Sequence, residues 1–209
     1  PPSGGGALYY YNGNVGIGEL APGSKLSVSG GATIGASYDT TVAPSNGMII
    51  EGNVGIGTTV PGAKLDVQNG NINTSGYVLV PNRPAFSVYL TSSWTTTPAV
   101  IVYTGVILNN GNYYSASTGQ FTAPVTGLYQ FCFGGIKASG STTQVGRMNL
   151  RLNGALFNIP EARTSEGASY GWASVCTVIN MIAGNYVDTY NTDVAGWHST
   201  YTFFSGHLL

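Results

Sequence analysis

The sequence predicts an all-β fold in two parts, a β-rich stalk followed by a β-sheet head. In residues 121–133, Tyr129, Phe131 and Phe133 alternate with other residues after a turn that contains proline and glycine. Strict alternation of large apolar side chains indicates a half-buried strand. Residues 1–82 contain an internal repeat of short apolar strands, and no segment has the apolar spacing of an amphipathic helix.

The composition has unusually little charge. Seven basic and eight acidic residues make 7% of the 209 residues charged, whereas a typical soluble domain has roughly 25%. Such a chain relies on neutral polar groups or covers much of its surface with copies of itself. The 43% hydrophobic content and 14 tyrosines argue against disorder. The scattered basic residues argue against nucleic acid as a partner, and no apolar run approaches the ~20 residues that span a membrane.

The chain starts Pro-Pro-Ser instead of with methionine, so we expect a fragment or a processed form. Two cysteines, Cys132 and Cys176, lie in apolar stretches. We expect two buried thiols, because free cysteine is among the most buried residue types. A disulfide that joins two strands is the alternative.

The repeat consists of residues 13–28 and 52–67, which match at 11 of 16 positions. Each copy has a short Val-x-Ile strand, a Pro-Gly turn and a Leu-x-Val strand. One chain cannot bury the thin apolar face of such a unit, so neighbours must cover it. We therefore predict that residues 1–82 form an intertwined, β-rich stalk made with identical chains.

The residue pattern changes near position 83, and residues 83–209 are predicted to form a separate head domain. Short β-branched and aromatic segments alternate with polar turns, and Asn109-Asn110-Gly111 and Asn153-Gly154 are turn signals, the second typical of a hairpin. The clearest candidate strands are residues 85–90, 99–103, 127–135, 147–152, 155–159, 169–181, 186–191 and 200–209. A domain with about ten such strands fits a sandwich, a barrel or a jelly roll.

The head resembles the globular head of complement C1q, which is related in fold to tumour necrosis factor. The residues in register with the family spacing are Asn109, Tyr114, Phe121, Gly127, Tyr129, Phe131 and Phe133, and Tyr103 occupies the first position, where the family usually has phenylalanine. The segments 184–187 and 204–209 also match the family, with Asn185 in place of the usual aspartate. This resemblance implies a ten-stranded jelly roll that assembles as a homotrimer, with aromatic residues closing the threefold interface.

The second stalk repeat is similar to repeats in bacteriophage tail fibres and bacterial surface fibres. Animal members of the head family carry a collagen stalk, and this sequence has no Gly-x-y run. The combination favours the distal part of a trimeric phage tail fibre, attached to the virion tail. A structural trimerisation head of a bacterial surface adhesin or fibre is the alternative.

Catalytic chemistry is not expected. The sequence has two histidines, no Gly-x-Ser-x-Gly motif and no metal-ligand spacing. A glycosidase needs two carboxylates that face each other across a cleft, and nothing in the sequence indicates that Glu161 and Glu166 do so. A glycan-degrading enzyme is thus the third reading. No cofactor is expected, and a divalent ion on the threefold axis, held by Asp188 or Asp193, remains open.

A binding function is the better interpretation. In a jelly roll that starts and ends at the stalk, loops 91–98, 138–144, 161–168 and 192–199 share the far end. The candidate ligand-binding residues on these loops are Trp94, Arg163, Glu166, Asp193, Trp197 and His198. Aromatic rings beside polar groups suit sugars, so we expect a host cell-surface saccharide, with an outer-membrane receptor as another partner. Alternatively, Trp94 and Trp197 pack under their loops or at the subunit interface.

Overall fold

The computed structural model describes residues 13–92, 98–137, 145–165, 167, 170–193 and 196–209, with the backbone alone at residues 157–159. The chain divides into two compact units, residues 1–78 and 79–209. In the described ranges, no helix is long and apolar enough to cross a membrane.

The first unit consists of three parallel strand pairs. Its strands are β1 (Val15–Ile17), β2 (Leu26–Val28), β3 (Ala32–Ile34), β4 (Met48–Ile50), β5 (Val54–Ile56) and β6 (Leu65–Val67), with a short 3₁₀ turn at Ala36–Tyr38. β1 pairs with β2, β3 with β4, and β5 with β6. The carbonyls of Ile17, Ile34 and Ile56 each accept a hydrogen bond at 2.9 Å from the residue after the second strand. The middle pair therefore repeats the same geometry, although its sequence does not reveal a third copy.

The residues shared by the two sequence repeats hold the turns in place. Asn14 and Asn53 each donate from Nδ2 to the carbonyl of their turn proline, at 2.7 and 3.1 Å. Lys25 and Lys64 donate from Nζ to backbone carbonyls where their own repeats begin, at 3.2 and 2.8 Å. The identity between the copies is thus explained by folding and needs no ligand.

This unit has no core of its own. None of the described residues from 13 to 83 is buried. In each strand pair, four apolar side chains share one face because paired residues of neighbouring strands point the same way. Leu26 and Leu65 on these faces are 62% and 57% exposed.

The head contains two antiparallel sheets. Its strands are β7 (Ala85–Tyr89), β8 (Ala99–Val100), β9 (Gly105–Asn110), β10 (Tyr114–Ser115), β11 (Gln120–Thr122), β12 (Gly127–Ile136), β13 (Arg147–Leu152), β14 (Ala155–Arg163), β15 (Trp172–Met181), β16 (Tyr186–Asn191) and β17 (Phe203–Leu208). One sheet has the order β15-β12-β17-β7-β9. The other has the order β10-β11-β16-β13-β14, and β8 also pairs with β16.

This arrangement confirms the predicted all-β jelly roll, divided over the described residues into eleven strands instead of ten. Asn153 and Gly154 both have positive φ, 51° and 79°, as the hairpin turn between β13 and β14 requires. The other turn signal also marks a turn: β9 ends at Asn110, Gly111 and Asn112 have positive φ, 79° and 58°, and Asn112 N donates to Asn109 O at 3.2 Å.

The alternating aromatics of β12 point into the space between the sheets. Tyr129, Phe131 and Phe133 are fully buried. Their rings meet Phe121 and Phe204, with centroids 5.7 Å apart for Phe121–Tyr129 and 6.0 Å for Phe131–Phe204. These signature residues fill the core of a single chain, so they are not the aromatic residues that the resemblance places at a threefold interface.

Two other signature residues form a hydrogen-bonded corner. The Asn109 side chain accepts from the Tyr114 backbone N–H at 3.0 Å and donates to the Tyr114 carbonyl at 2.9 Å. The Tyr114 hydroxyl donates to the Tyr103 carbonyl at 3.0 Å, and the Tyr103 hydroxyl lies 2.9 Å from Thr189 Oγ1. Burial raises the pKa of Tyr114 to about 12 and raises the pKa of Tyr103 further.

The expectation of two buried thiols is wrong, because Cys132 and Cys176 form a disulfide. The two residues are directly opposite in the β12–β15 register, with Cα atoms 4.1 Å apart. Position 132 lies between Phe131 and Phe133, which point inward, so the cysteine points outward, and Cys176 is exposed. The strand period places both sulfur atoms on the outer face of the sheet.

Candidate functional site

Four loops gather at one end of the head, away from Ala85, where its first strand begins. Their described residues are 90–92 and 98, 137 and 145–146, 164–165, 167 and 170–171, and 192–193 and 196–202, which follow or precede strands that end on this side. Backbone hydrogen bonds tie them together: His198 N donates to Ile136 O at 2.8 Å, and Leu90 N to Thr202 O at 3.0 Å. These contacts bring together described residues at the edges of the four predicted loops, whereas loop 138–144 itself lies outside the described residues and residues 161–163 belong to β14. We call this end of the head the loop end.

Two predicted site residues, Trp94 and Glu166, lie outside the described residues. A third, Trp197, is fully buried. Its Nε1 donates to Asn191 Oδ1 at 3.1 Å, and its backbone forms a bridge with Lys137. A ring without exposed surface cannot stack on a sugar, so Trp197 packs under its loop and is not included in the site below.

Charge is concentrated on the outward face of the second sheet. The head has nine charged residues, and six of them belong to β13 and β14 or to β16 and the residues just after it. These six are Arg147, Arg151, Glu161, Arg163, Asp188 and Asp193, and we call them the charged face. Glu161 and Arg163 were expected in a loop, but β14 runs through Arg163 and makes both strand residues.

One pair on the charged face is internally satisfied. Arg151 donates from Nε to Asp188 Oδ1 at 2.6 Å and from Nη2 to Oδ2 at 2.9 Å. The Arg151 guanidinium also lies 4.4 Å from the centroid of the Tyr190 ring. The hydrogen bonds with Asp188 raise the pKa of Arg151. This engagement leaves the buried Asp188 carboxylate unsuited to hold a metal ion.

The other arginines of the face lie beside each other nearer the loop end. Arg147 and Arg163 are directly opposite in the β13–β14 register. Asp193 Oδ2 lies 3.9 Å from Arg147 Nε, and Glu161 Oε2 accepts from Asn149 Nδ2 at 3.5 Å. Over the described residues, no group of three His, Cys, Asp or Glu side chains has the arrangement of a metal site.

A second cluster at the loop end is aromatic. The His198 ring lies 5.2 Å from the Tyr201 ring and 6.5 Å from the Tyr170 ring between centroids. Trp172 stacks on Phe203 at 6.2 Å. Tyr170, Trp172 and Tyr201 are 63%, 55% and 53% exposed. We call these five residues the aromatic patch.

Sequence reasoning identified His198 but missed its aromatic neighbours. Tyr170 and Tyr201 were assigned to strands, whereas β15 begins at Trp172 and β17 at Phe203, so both tyrosines lie in loops. Trp172 could have been found from the strand period, because it is in phase with outward-facing Ser174 and out of phase with buried Ala173.

The predicted site residues thus fall into separate groups. Arg163 and Asp193 belong to the charged face, and His198 belongs to the aromatic patch. The hydrogen bonds and ring contacts of the His198 side chain among the described residues involve Ser199, Tyr170 and Tyr201, and neither Arg163 nor Asp193. The structure therefore offers two surfaces at the loop end where the sequence suggested one.

Comparison with known proteins shows which family the head resembles in sequence and which solved structures it resembles in fold. The family model of the C1q domain matches residues 85–209. Similar solved structures include the globular domain of zebrafish complement 1qA, with 18% identity over 60% of this chain and 97% of that one and a TM-score of 0.48. Murine APRIL has 11% sequence identity, covers 61% of this chain and 99% of its own, and has a TM-score of 0.49. Eiger TNF from S. frugiperda has 12% sequence identity, covers 61% of this chain and 93% of its own, and has a TM-score of 0.49.

A comparison with curated protein sequences finds no match. The C1q match confirms the resemblance that was stated from the signature residues of the head. Because it covers more than half of the sequence, the chain belongs to the C1q domain family.

Proposed function

We propose that this chain is the distal part of a trimeric fibre of the bacteriophage tail-fibre type, and that its C1q head binds a saccharide on the host cell surface. The aromatic patch carries the binding part of this proposal. The described aromatic residues of the head that are more than half exposed are Tyr170, Trp172 and Tyr201, and all three lie at the loop end. Apolar rings beside loop hydroxyls match the two faces of a sugar.

The uncharged sheet of the head supports assembly with identical chains. None of the strands β7, β9, β12, β15 and β17 contains a charged residue, and outward-facing Leu128 and Val178 are 53% and 50% exposed. Uncharged, partly apolar surfaces are typical of the core of subunit interfaces. The charged face is on the other sheet, and Leu128 and Val178 lie toward the end of the uncharged sheet that is opposite Trp172. A trimer built through that part of the sheet would leave both the charged face and the aromatic patch in water.

The stalk supports assembly independently. A segment with no buried residue from 13 to 83 cannot offset its loss of conformational entropy alone. Covering the apolar faces of its three strand pairs with the same faces of partner chains would supply a core. Three linked heads would then strengthen a weak saccharide contact through effective concentration.

The experiment is adsorption of the purified full-length chain to susceptible cells and to a glycan array. We expect saccharide binding that Trp172→Ala and Tyr170→Ala each reduce at least tenfold. Tyr77→Ala is the matched control, because Tyr77 is 96% exposed but belongs to the first unit. Full binding by both patch variants would contradict the proposed site, and no adsorption to any susceptible host would contradict the function.

A structural head is the second candidate, favoured by the uncharged sheet and by the coreless first unit. In that case the head only holds three chains together in a fibre or bacterial surface adhesin. Deleting residues 84–209 would then abolish trimers, whereas substitutions in the aromatic patch would leave adsorption intact. Analytical ultracentrifugation of the deletion, next to adsorption by Trp172→Ala, separates the two functions.

A further inference from the structure

The charges of the charged face are paired with opposite charges at one end and lie next to a like charge at the other. At the far end from the loops, Arg151 and Asp188 neutralise each other through two hydrogen bonds. At the loop end, two arginines stand opposite each other on neighbouring strands. Like charges directly opposite in an antiparallel pair are destabilising, so this arrangement has a cost that the fold alone does not explain.

Neither of these arginines is fully satisfied within the protomer. Arg147 Nε is buried and has no hydrogen-bond partner, and its nearest carboxylate oxygen, Asp193 Oδ2, is 3.9 Å away. The Arg163 side chain is exposed, and the described part of the chain provides no hydrogen bond or ion pair for it. Two guanidinium groups with unused donors therefore share one outward surface.

The neighbouring groups limit what can bind between these arginines. Glu161 lies two positions before Arg163 on the same strand and is paired with Asn149 of β13. Its carboxylate accepts a hydrogen bond from the Asn149 side-chain amide at 3.5 Å. Thr192 Oγ1 donates to Asn149 Oδ1 at 3.0 Å. Carboxylates and amides that flank two arginines favour one compact anion surrounded by hydroxyl groups over a densely charged polymer.

We propose that Arg147 and Arg163 bind the anionic group of an acidic saccharide at the loop end of the charged face. The guanidinium groups donate to its carboxylate, or to a sulfate or phosphate ester in the same position, and the nearby Glu161 carboxylate accepts hydrogen bonds from sugar hydroxyls. Arginine suits this role because its planar donors match such oxygen pairs. This inference rests on the proposed saccharide-binding function and names the class of saccharide.

The test measures binding of the full-length chain to three oligosaccharides by calorimetry at low and high salt. The probes are a neutral chitin tetrasaccharide, a hyaluronan tetrasaccharide that carries carboxylates, and a sulfated dextran fragment. We expect an acidic probe to bind at least tenfold more tightly than the neutral one, with affinity that falls as salt rises. The better of the two acidic probes identifies the anionic group.

Arg147→Gln and Arg163→Gln should each weaken acidic binding by about tenfold or more, because a charge-assisted hydrogen bond is lost. Arg83→Gln is the matched control, since Arg83 is exposed near the opposite end of the head. Removing Arg163, for which the described part of the chain provides no ion pair, relieves like-charge repulsion, so the melting temperature of Arg163→Gln should stay equal or rise. A lowered melting temperature would instead indicate a structural ion pair and overturn the proposal.

The outcomes also separate this inference from the proposed function. Neutral-saccharide binding that is unaffected by Arg147→Gln and Arg163→Gln, without any preference for acidic probes, overturns the inference and leaves the function standing. Failure of the wild-type chain to bind any saccharide, on the array or in solution, overturns both.

Discussion

Arg151 and Asp188 form a two-point ion pair between β13 and β16, with the aspartate side chain fully buried and the arginine side chain 17% exposed. Asp188 also accepts a weaker hydrogen bond from Gln120 Nε2 at 3.4 Å. A carboxylate without contact with water depends on these donors, because burying an unpaired charge is costly. The pair therefore fixes three strands of the second sheet, β11, β13 and β16, relative to one another.

Replacing Arg151 with methionine should destabilise the head strongly. The substitution keeps an aliphatic chain but leaves the Asp188 carboxylate buried without its main donors, which costs about 3–5 kcal/mol. Guanidinium unfolding of the oxidised chain measures the change. Arg163→Met on the same face should change the free energy of unfolding by less than about 0.5 kcal/mol. Adding Asp188→Leu to Arg151→Met should restore much of the loss, and no restoration would contradict the burial argument.

Adding a methyl group at Gly206 should also destabilise the head. A Cβ atom there would lie 2.6 Å from Phe131 Cε1 and 2.8 Å from Phe86 Cε1, which is too close for either ring to stay in place. Overpacking of this kind costs about 1–3 kcal/mol. Thermal unfolding of Gly206→Ala checks it, with Gly76→Ala as the control because a Cβ at Gly76 meets no atom within 4 Å. An unchanged melting temperature for Gly206→Ala would mean that the rings repack freely.

The contacts of Gly206 also show what local sequence can and cannot predict. The two-residue period of β12 predicted that its aromatic side chains point inward, and the Asn153-Gly154 pair predicted a hairpin. Both predictions succeeded because both features depend only on residues that are neighbours in the sequence. The burial of Trp197 depends on Asn191 and on the close approach of Gly146, whose Cβ position lies 3.4 Å from the Trp197 ring. A local pattern cannot reveal such packing, so an aromatic in a polar loop resembled a ligand contact.

The charged face escaped prediction for a related reason. Arg147 and Arg163 are sixteen positions apart, and only the β13–β14 register, which contains a shift between Asn149 and Arg151, places them opposite each other. The disulfide was only partly predictable from local sequence. The outward phase of Cys132 follows from its neighbours Phe131 and Phe133, but the position of Cys176 opposite it depends on the pairing of two strands that are distant in sequence.

Alkaline pH should unfold the head through its buried tyrosines. Burial raises the pKa of Tyr114 to about 12 and that of Tyr103 further, above the ordinary value of 10. Raised folded-state pKa values stabilise the fold fully below the unfolded value, and this stability is lost as pH rises from about 10 towards 12. Melting temperature should be constant below pH 9 and fall steeply above pH 10. Absorbance of tyrosinate at 295 nm should show that Tyr103 and Tyr114 ionise only when the head unfolds. Ionisation of either tyrosine in the folded protein near pH 10 would contradict this prediction.

Breaking the Cys132–Cys176 bond should lower stability without changing the fold. The two cysteines are separated by 44 positions, and closing a loop of this length stabilises a domain by about 2–4 kcal/mol. The double variant Cys132→Ser, Cys176→Ser should show this loss in chemical unfolding. Ser205→Ala, at the β17 position paired with Cys132, serves as the control. Alkylation of the wild-type chain under non-reducing, denaturing conditions should label no thiol, and labelling of either cysteine would contradict the bond.

Substitutions at neighbouring positions of β2 should test whether partner chains cover the stalk. Leu26 is 62% exposed in one chain and lies on the apolar face of its strand pair, whereas Ser27 points to the opposite side. In an isolated chain, aspartate at either position would have little effect. In an assembled stalk, Leu26→Asp would bury three charges against apolar side chains, so we expect it to dissociate or melt the stalk while Ser27→Asp leaves it intact. Sedimentation velocity and limited proteolysis measure the two outcomes. Equal behaviour of the two variants would show that the apolar faces remain in water, and the proposed intertwined stalk would then have to be given up.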